Sequence, residues 1–210
     1  MGSIPTDTNL IRVGKASGSG SGSVKPILKG VDRNRTCPPN YSLRKNMNLS
    51  RKIIVLDDVL SKDECIYAID RFNQARDLKS PDMFQHEDTF VLPISDNRLN
   101  LFPLTTKIQN SIDFLSKDVI IYWSEVVEWK FGSKQSYHKD TGRPKTVLTS
   151  ITYLNDNYVG GETSFFNDLK VVPKVGRTVF FDGNYYIHGV NQISSGTRYT
   201  LPIWYKNKED

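Results

Sequence analysis

Short alternating runs of apolar and polar residues dominate the second half of the chain. Seven of them follow one another: VVEWKF, VLTSITYL, ETSFF, LKVVP, RTVFF, YIHGVN and RYTLPIWYK. Glycine and Asp/Asn turns separate them, as at Gly160–Gly161 and Asp182–Gly183. A period of two between such turns is typical of β-strands. Strands this closely spaced predict an all-β sandwich or barrel.

Two helices are predicted ahead of these strands. Ser61, followed three residues later by Glu64, forms a capping box at a helix start. Apolar residues then recur at helical spacing, at Ile66, Ala68, Ile69 and Phe72. A second helix is predicted over 104–114, with Ile108, Ile112 and Leu115 on one face. Both helices are expected to pack on one face of the β structure.

The remaining part of this region predicts one strand and one long loop. Residues 52–60 form a short β-branched run that indicates a strand. Residues 79–98 are expected to form a loop. Its part around 83–90, MFQHEDTF, precedes the β structure, where segments that cover a substrate are often found. We therefore expect a lid there, with His86 as a surface residue.

The N-terminal part has a different composition. Residues 1–24 contain SGSGSGS and are expected to be flexible, and residues 25–51 form a basic, proline-broken, irregular extension. Residues 1–52 carry a net charge of +8, and the rest of the chain carries −3. Such an arm fits an acidic partner or nucleic acid, but it has no interleaved aromatic residues for base stacking. A solvated tail is the favoured interpretation.

The chain of 210 residues is long enough for one domain with an extension. No apolar run approaches the roughly 20 residues that span a membrane, and no secretion signal is recognisable. The two cysteines are too few for a disulfide framework. These features predict a cytoplasmic protein without a membrane partner, and they leave the oligomeric state open.

Candidate chemistry begins at His138 and Asp140 in QSYHKDTG. On a strand, this spacing places both side chains on the same face. His188 lies in another predicted strand. Two imidazoles and one carboxylate on one side of a metal form the facial triad of non-haem Fe(II) oxygenases. Each histidine by itself is more typical of an ordinary hydrogen-bonded residue, so the hypothesis depends on what accompanies the three.

Arg198 is what accompanies them, in the apolar run RYTLPIWY. An arginine on a core-facing strand is costly unless it is paired. Its planar guanidinium matches a carboxylate through two parallel hydrogen bonds. Taken alone, Arg198 could equally be a strand-edge residue that faces solvent.

Together these residues resemble those of Fe(II)- and 2-oxoglutarate-dependent dioxygenases, most closely the prolyl 4-hydroxylase type. The likeness includes YLNDNYVGGETSFF, VVPKVGRTVFFDG before the distal histidine, and Trp204 six residues beyond Arg198. It is strong over 126–206, extends to 52–123 in layout only, and does not include 1–50.

The resemblance implies a mainly β domain at 52–210: a double-stranded β-helix, or jelly roll, with two helices packed on one sheet. It implies that His138, Asp140 and His188 bind Fe(II). It also implies that 2-oxoglutarate is held by Arg198, Tyr153 and Thr200, although Tyr153 could be a plain core aromatic. O2 completes the set of cosubstrates, with ascorbate as a stimulant.

The activity implied is that of a procollagen-proline-dioxygenase-like hydroxylase acting on a peptidyl proline, coupled to decarboxylation of 2-oxoglutarate to succinate and CO2. Trp129, Tyr137 and Trp204 are the candidate substrate contacts, although core packing would explain both tryptophans equally well. Arginine at the anchoring position, where many secreted animal prolyl hydroxylases have lysine, favours the intracellular or microbial branch. The sequence GGETSFF … FFDGNYYIHGV also resembles small oxygenases encoded by bacteria and their phages.

Three alternatives stay open. The same fold could oxidise a free amino acid or another small molecule, and the short segment TGRPKT after Asp140 weakens the case for a gripped peptide. It could act on nucleic acid, with the basic extension as the docking element. It could also be a non-catalytic ligand-binding module, although the three candidate ligands and Arg198 are all present.

Overall fold

A computed structural model describes residues 9–13 by their backbone, and residues 52–94, 99–111, 118–143 and 145–210 in full. The helices are α1 (Lys62–Asp77) and α2 (Phe102–Asn110). The strands are β1 (Asn9–Val13), β2 (Lys52–Leu56), β3 (Phe84–His86), β4 (Thr89–Pro93), β5 (Val119–Trp129), β6 (Gln135–His138), β7 (Leu148–Tyr153), β8 (Val159–Gly160), β9 (Thr163–Phe165), β10 (Lys170–Val171), β11 (Thr178–Phe181), β12 (His188–Val190), β13 (Ile193–Ser195) and β14 (Arg198–Asn207).

Two sheets face each other. The major sheet has eight strands in the order β1-β2-β11-β7-β14-β5-β4-β3, and the minor sheet has four in the order β10-β9-β12-β6. The short pair β13-β8 lies beside them. Apart from β1, which runs parallel to β2, the paired strands are antiparallel. This is the jelly roll that the sequence predicts, and each of the seven alternating runs contains one of its strands.

The major sheet packs against helices on one face and against the minor sheet on the other. The outer face packs against Ala68 and Phe72 of α1 and Ile108 of α2. The inner face meets the minor sheet, where Phe181 packs against Phe165. The prediction of two helices on one sheet is therefore confirmed, and the space between the two sheets is left for a site.

Helix α1 begins where the capping box places it. The Ser61 hydroxyl accepts a hydrogen bond from the Glu64 N–H at 3.2 Å, and Glu64 Oε2 accepts one from the Ser61 N–H at 2.7 Å. The predicted apolar face is wrong at Ile66, which is 45% exposed, whereas the neighbouring Cys65 is buried. The buried stripe runs through Cys65, Ala68, Phe72 and Ala75, because that face points to the sheet.

The second helix begins two residues before its predicted start and ends four residues before its predicted end. It ends at Asn110, and Ile108 is buried as expected. Ile112 and Leu115, which the sequence placed on the same face, lie outside the described residues.

The prediction of a loop over 79–98 is wrong for residues 84–93. Strands β3 and β4 form a hairpin there, and β4 pairs with β5, with Val91 opposite Val127. The Thr89 hydroxyl donates to the His86 carbonyl at 2.7 Å and closes the turn. Such short strands give little signal of their own, because their pairing depends on context: β3 pairs with β4, and β4 pairs with the edge of the long β5. The expected lid is thus an ordered extension of the major sheet.

Strand β1 lies within the segment that the sequence predicted to be flexible, residues 1–24, and it extends the major sheet beyond β2. The predicted basic extension, 25–51, falls outside the described residues. Within the residues that are described, neither helix has the length and apolar character needed to cross a membrane.

Candidate metal and cosubstrate site

His138, Asp140 and His188 meet between the two sheets. His138 is the last residue of β6, His188 is the first residue of β12, and the antiparallel register places them opposite each other. Asp140 Oδ1 lies 3.6 Å from His138 Nε2 and 3.7 Å from His188 Nε2. One ligand atom from each of the three residues falls within 4.8 Å of the others. The arrangement therefore offers two nitrogens and one oxygen to a single ion.

Hydrogen bonds fix the orientation of both imidazoles. His138 Nδ1 lies 3.0 Å from the Ser136 carbonyl oxygen, and His188 Nδ1 lies 3.0 Å from the Tyr186 carbonyl oxygen. A carbonyl only accepts, so Nδ1 carries the proton in both rings and donates it. The lone pair is then on Nε2, the atom that faces Asp140. This is the tautomer and the second hydrogen bond that metal-binding histidines use.

The carboxylate is oriented in the same way. The Thr149 hydroxyl donates to Asp140 Oδ2 at 2.6 Å, and the Asp140 N–H donates to the Gly183 carbonyl at 2.9 Å. A Cβ atom on Gly183 would lie 2.7 Å from Asp140 Cγ. Only a glycine leaves room for the carboxylate at that point.

The charges of the three residues fit a cation. The nearby Asp140 carboxylate raises the pKa of His138, and burial lowers the pKa of His188. Burial by itself would raise the pKa of Asp140, but the neighbouring His138 and His188 and the hydrogen bond from Thr149 leave it below its usual range. A charged carboxylate between two imidazoles is a donor set that suits a divalent transition metal.

Arg198 lies deep in the same space with its charge unpaired. It is 1% exposed, and none of its three guanidinium nitrogens has a hydrogen-bond partner among the described residues. Its Cζ lies 5.0 Å from the centroid of the Trp129 ring and 5.5 Å from that of Tyr153. A buried guanidinium with aromatic rings around it and no anion is costly, so the site is built for an acidic ligand.

One cavity of about 300 Å³ connects these two features. Its wall includes the three candidate metal ligands and Arg198. Of the other residues singled out from the sequence, Trp129, Thr200 and Trp204 line it, and the Trp129 indole N–H donates to the Thr200 hydroxyl at 3.2 Å.

Tyr153 lies behind the cavity wall. It is fully buried, and its hydroxyl donates to Thr163 Oγ1 at 2.7 Å; Thr163 itself lines the cavity. Tyr153 is therefore placed to support a cosubstrate site through Thr163 and Arg198, and a direct contact stays a prediction.

Tyr137, the third predicted substrate contact, is not part of the described cavity wall. Consecutive residues of a strand point to opposite faces, so Tyr137 faces away from the cavity that its neighbour His138 lines. It is 51% exposed and packs edge-on against Phe166 on the outside of the minor sheet.

Several cavity residues were not identified from the sequence. They are Thr149, Thr163, Glu125, Arg143 and, on the hairpin, Phe84 and His86, which was expected to be a plain surface residue. Alternation would have assigned Glu125 to one face of β5 and Thr149 to one face of β7. It would not have shown that these faces line the cavity.

Comparisons with known proteins agree with this geometry. The sequence model described as "2OG-Fe(II) oxygenase superfamily" matches residues 124–206, which hold all three candidate metal ligands and Arg198. No curated protein has a significantly similar sequence.

Three solved structures illustrate the shared fold. A viral collagen prolyl hydroxylase from Paramecium Bursaria Chlorella virus-1, in complex with 2OG, is 22% identical, covers 73% of this chain and 94% of its own, and has a TM-score of 0.57. A prolyl-4-hydroxylase from Pseudomonas putida is 16% identical, with coverages of 74% and 92% and a TM-score of 0.58. A prolyl hydroxylase from Trichoplax adhaerens, with a peptide fragment of the hypoxia inducible factor oxygen degradation domain, is 15% identical, with coverages of 77% and 86% and a TM-score of 0.62.

At these identities the structural likeness establishes the jelly-roll fold. Residues 124–206 match the sequence model of the 2OG-Fe(II) oxygenase superfamily, and the donor set and the unpaired arginine agree with that match. The cofactor set of that superfamily, Fe(II), 2-oxoglutarate and O2, fits the His-Asp-His site.

Proposed function

We propose that the protein is a 2-oxoglutarate-dependent hydroxylase of the prolyl 4-hydroxylase type. The observation that carries the proposal is the presence, in one cavity, of a three-residue metal-ligand set and an unpaired buried arginine. His138, Asp140 and His188 would hold Fe(II), and Arg198 would hold the distal carboxylate of 2-oxoglutarate. With O2, the bound iron and 2-oxoglutarate supply hydroxylation of a C–H bond, releasing succinate and CO2.

The protein's own groups orient these partners. The Ser136 and Tyr186 carbonyls fix the two imidazoles, and Thr149 fixes the carboxylate. Along β7, Thr149 and Tyr153 are four residues apart, which is about 13 Å on a strand. Thr149 contacts the candidate metal ligand Asp140, and Tyr153 flanks Arg198. A five-carbon diacid, together with its contacts to the metal and to Arg198, can span this distance.

The walls around Arg198 exclude water. Trp129 lies opposite Arg198 in the β5–β14 register, and the Tyr153 ring flanks the guanidinium from β7. In such surroundings a charge-assisted pair with a carboxylate is stronger than in water. Thr200 and Thr163 add hydroxyl groups to the same wall.

The substrate proposed is a prolyl residue in a peptide or protein. Trp204 and Phe84 also line the cavity and would give a proline ring flat apolar walls. The β3–β4 hairpin, which carries Phe84, would then contact the bound peptide. The structural neighbours that are named prolyl hydroxylases, one of them with a bound peptide, support this choice by analogy of fold.

The test is oxidation of a panel of proline-rich peptides with Fe(II) and 2-oxoglutarate. We expect a gain of about 16 Da on proline together with an equal amount of succinate, both abolished in His138→Ala and His188→Ala. His86→Ala, which removes the one histidine that is not a candidate ligand, is the matched control and should retain Fe(II) binding. Oxidation of a free amino acid or a nucleobase, with none of any peptide, would exclude the prolyl assignment and leave the oxygenase class.

A further inference from the structure

The cavity wall contains a charged residue that has no role in the proposed metal site or 2-oxoglutarate site. Glu125, in β5, is 8% exposed and lies in the cavity wall. Among the described residues that line this cavity, it is the only carboxylate besides Asp140. A carboxylate at such a place needs either a structural partner or a ligand.

Its structural partners are incomplete. The Trp123 indole N–H donates to Glu125 Oε2 at 2.7 Å. Arg143 Nη2 lies 3.6 Å from the same oxygen, which is too far for a hydrogen bond. Both contacts that described residues make with the carboxylate fall on Oε2, so Oε1 is the oxygen available to a ligand. Burial raises the pKa of Glu125, although the hydrogen bond from Trp123 and the charge of Arg143 act in the opposite direction.

Arg143 is held by other contacts. Its Cζ lies 4.0 Å from the centroid of the Trp204 ring and 5.6 Å from that of Trp123, and its side chain is 34% exposed. Stacking on two indoles fixes the guanidinium at the mouth of the cavity. Arg143 therefore forms a long ion pair with Oε2 of Glu125 and leaves Oε1 to a ligand.

Glu125 is also close enough to the reaction centre to contact a substrate. The register places Thr149 opposite Trp204, and Trp204 opposite Trp123, two residues from Glu125 on the same strand. Thr149 binds Asp140, so Glu125 lies two strands across from the metal ligands, about 10 Å away. One small molecule, or one residue and its neighbour, spans that distance.

We propose that Glu125 binds a positively charged nitrogen of the substrate, within about one residue's length of the C–H bond that is oxidised. This rests on the proposed hydroxylase function and narrows its substrate class. The nitrogen belongs either to a basic side chain next to the target proline in a peptide or to the α-ammonium group of a free amino acid.

Binding can be followed without turnover. All three tryptophans, Trp123, Trp129 and Trp204, lie at or next to the cavity, so intrinsic fluorescence reports occupancy. The protein is loaded with Fe(II) and 2-oxoglutarate under nitrogen and titrated with two matched pairs of probes. The first pair is acetyl-Ala-Lys-Pro-Ala-amide and the same peptide with acetyl-lysine, and the second is L-proline and N-acetyl-L-proline.

We expect the charged member of one pair to bind roughly 30-fold more tightly than its acetylated counterpart, since acetylation removes a charge-assisted contact in a buried site. Glu125→Gln, which keeps the shape and the contact with Trp123, should abolish this preference. Glu128→Gln is the matched control: Glu128 is a buried carboxylate on the same strand, but it faces Arg76 and Tyr199 on the helix side and should retain the preference. The pair that shows the preference identifies the source of the nitrogen.

Equal binding within both pairs, no binding of either charged probe, or a preference that survives Glu125→Gln would overturn the proposal. If Glu125→Gln does not fold, as judged by loss of 2-oxoglutarate binding, the comparison of the probes on the unaltered protein decides alone. The proposed function is scored separately by proline oxidation of the two peptides. A charge preference without proline oxidation supports the role of Glu125 and excludes the prolyl assignment. Equal oxidation of both peptides supports the prolyl assignment and excludes the role of Glu125.

Discussion

The Thr149 hydroxyl donates to Asp140 Oδ2 at 2.6 Å, while Asp140 Oδ1 lies 3.6 Å and 3.7 Å from the Nε2 atoms of His138 and His188. One oxygen of the carboxylate is thus held by the protein, and the other is turned toward the two imidazoles. An orienting hydrogen bond of this kind sets the position of a metal ligand without touching the metal.

Thr149→Val should therefore weaken metal binding by roughly 10- to 100-fold, because the carboxylate loses its orientation. The dissociation constant for Mn(II), measured by calorimetry, checks this. Thr152→Val is the control, since Thr152 lies on the same strand but bonds to Thr178 on the opposite face. An unchanged constant in Thr149→Val would mean that the hydroxyl has no orienting role.

Gly183→Ala should abolish metal binding while leaving the fold intact. A Cβ atom at this position would press on Asp140 Oδ2 and lie 2.5 Å from Thr149 Oγ1, so the carboxylate would have to turn away. Gly142→Ala is the control, because a Cβ there meets no heavy atom of the described residues within 4 Å. The metal affinity of both variants tests the loss of binding, and their thermal midpoints test whether the fold is intact. Full affinity in Gly183→Ala would contradict the prediction.

Arg198→Met should separate stability from cosubstrate binding. Replacing an unpaired buried guanidinium by an apolar chain of similar length should leave the ligand-free protein as stable or more stable. The KM for 2-oxoglutarate should rise roughly 30-fold or more, because the carboxylate loses its charged partner. Saturating 2-oxoglutarate, at about 100 times its dissociation constant for the unaltered protein, should stabilise that protein by about 2.7 kcal/mol and the variant by at most about 1 kcal/mol. A KM unchanged by the substitution would place the cosubstrate elsewhere.

Metal affinity should depend on pH through His138. The nearby Asp140 carboxylate raises the pKa of His138, so the ring stays protonated to a higher pH than an ordinary histidine, whose pKa is near 6.5. A protonated imidazole cannot bind metal, and the affinity should be full well above the raised pKa and fall as the pH drops through it. Asp140, with its lowered pKa, stays charged over this range. Titrations with Mn(II) between about pH 5.5 and about pH 8.5 test this, with His86→Ala as a control that should keep the same profile.

Much of the fold is readable from local pattern. The capping box at Ser61 and Glu64 needs only backbone groups three residues apart, so the sequence places the start of α1 correctly. The strands of the jelly roll follow from alternation and turn residues, which are also local. The β3–β4 hairpin is not readable in this way, because its pairing depends on the edge of β5, more than thirty residues further along the chain.

The sequence by itself determined which residue types were available to a metal, and the tertiary structure decided which of them meet. His138 and Asp140 share a strand end, but only the β6–β12 register brings His188 opposite them. Tyr137 and His138 are neighbours in sequence, and the alternation of the strand sends them to opposite faces. Glu125 and Glu128 lie three residues apart on β5, so they must face opposite sides. Which of the two faces the cavity is settled by the packing of α1, whose Arg76 binds Glu128 at 2.7 Å and leaves Glu125 to the space between the sheets.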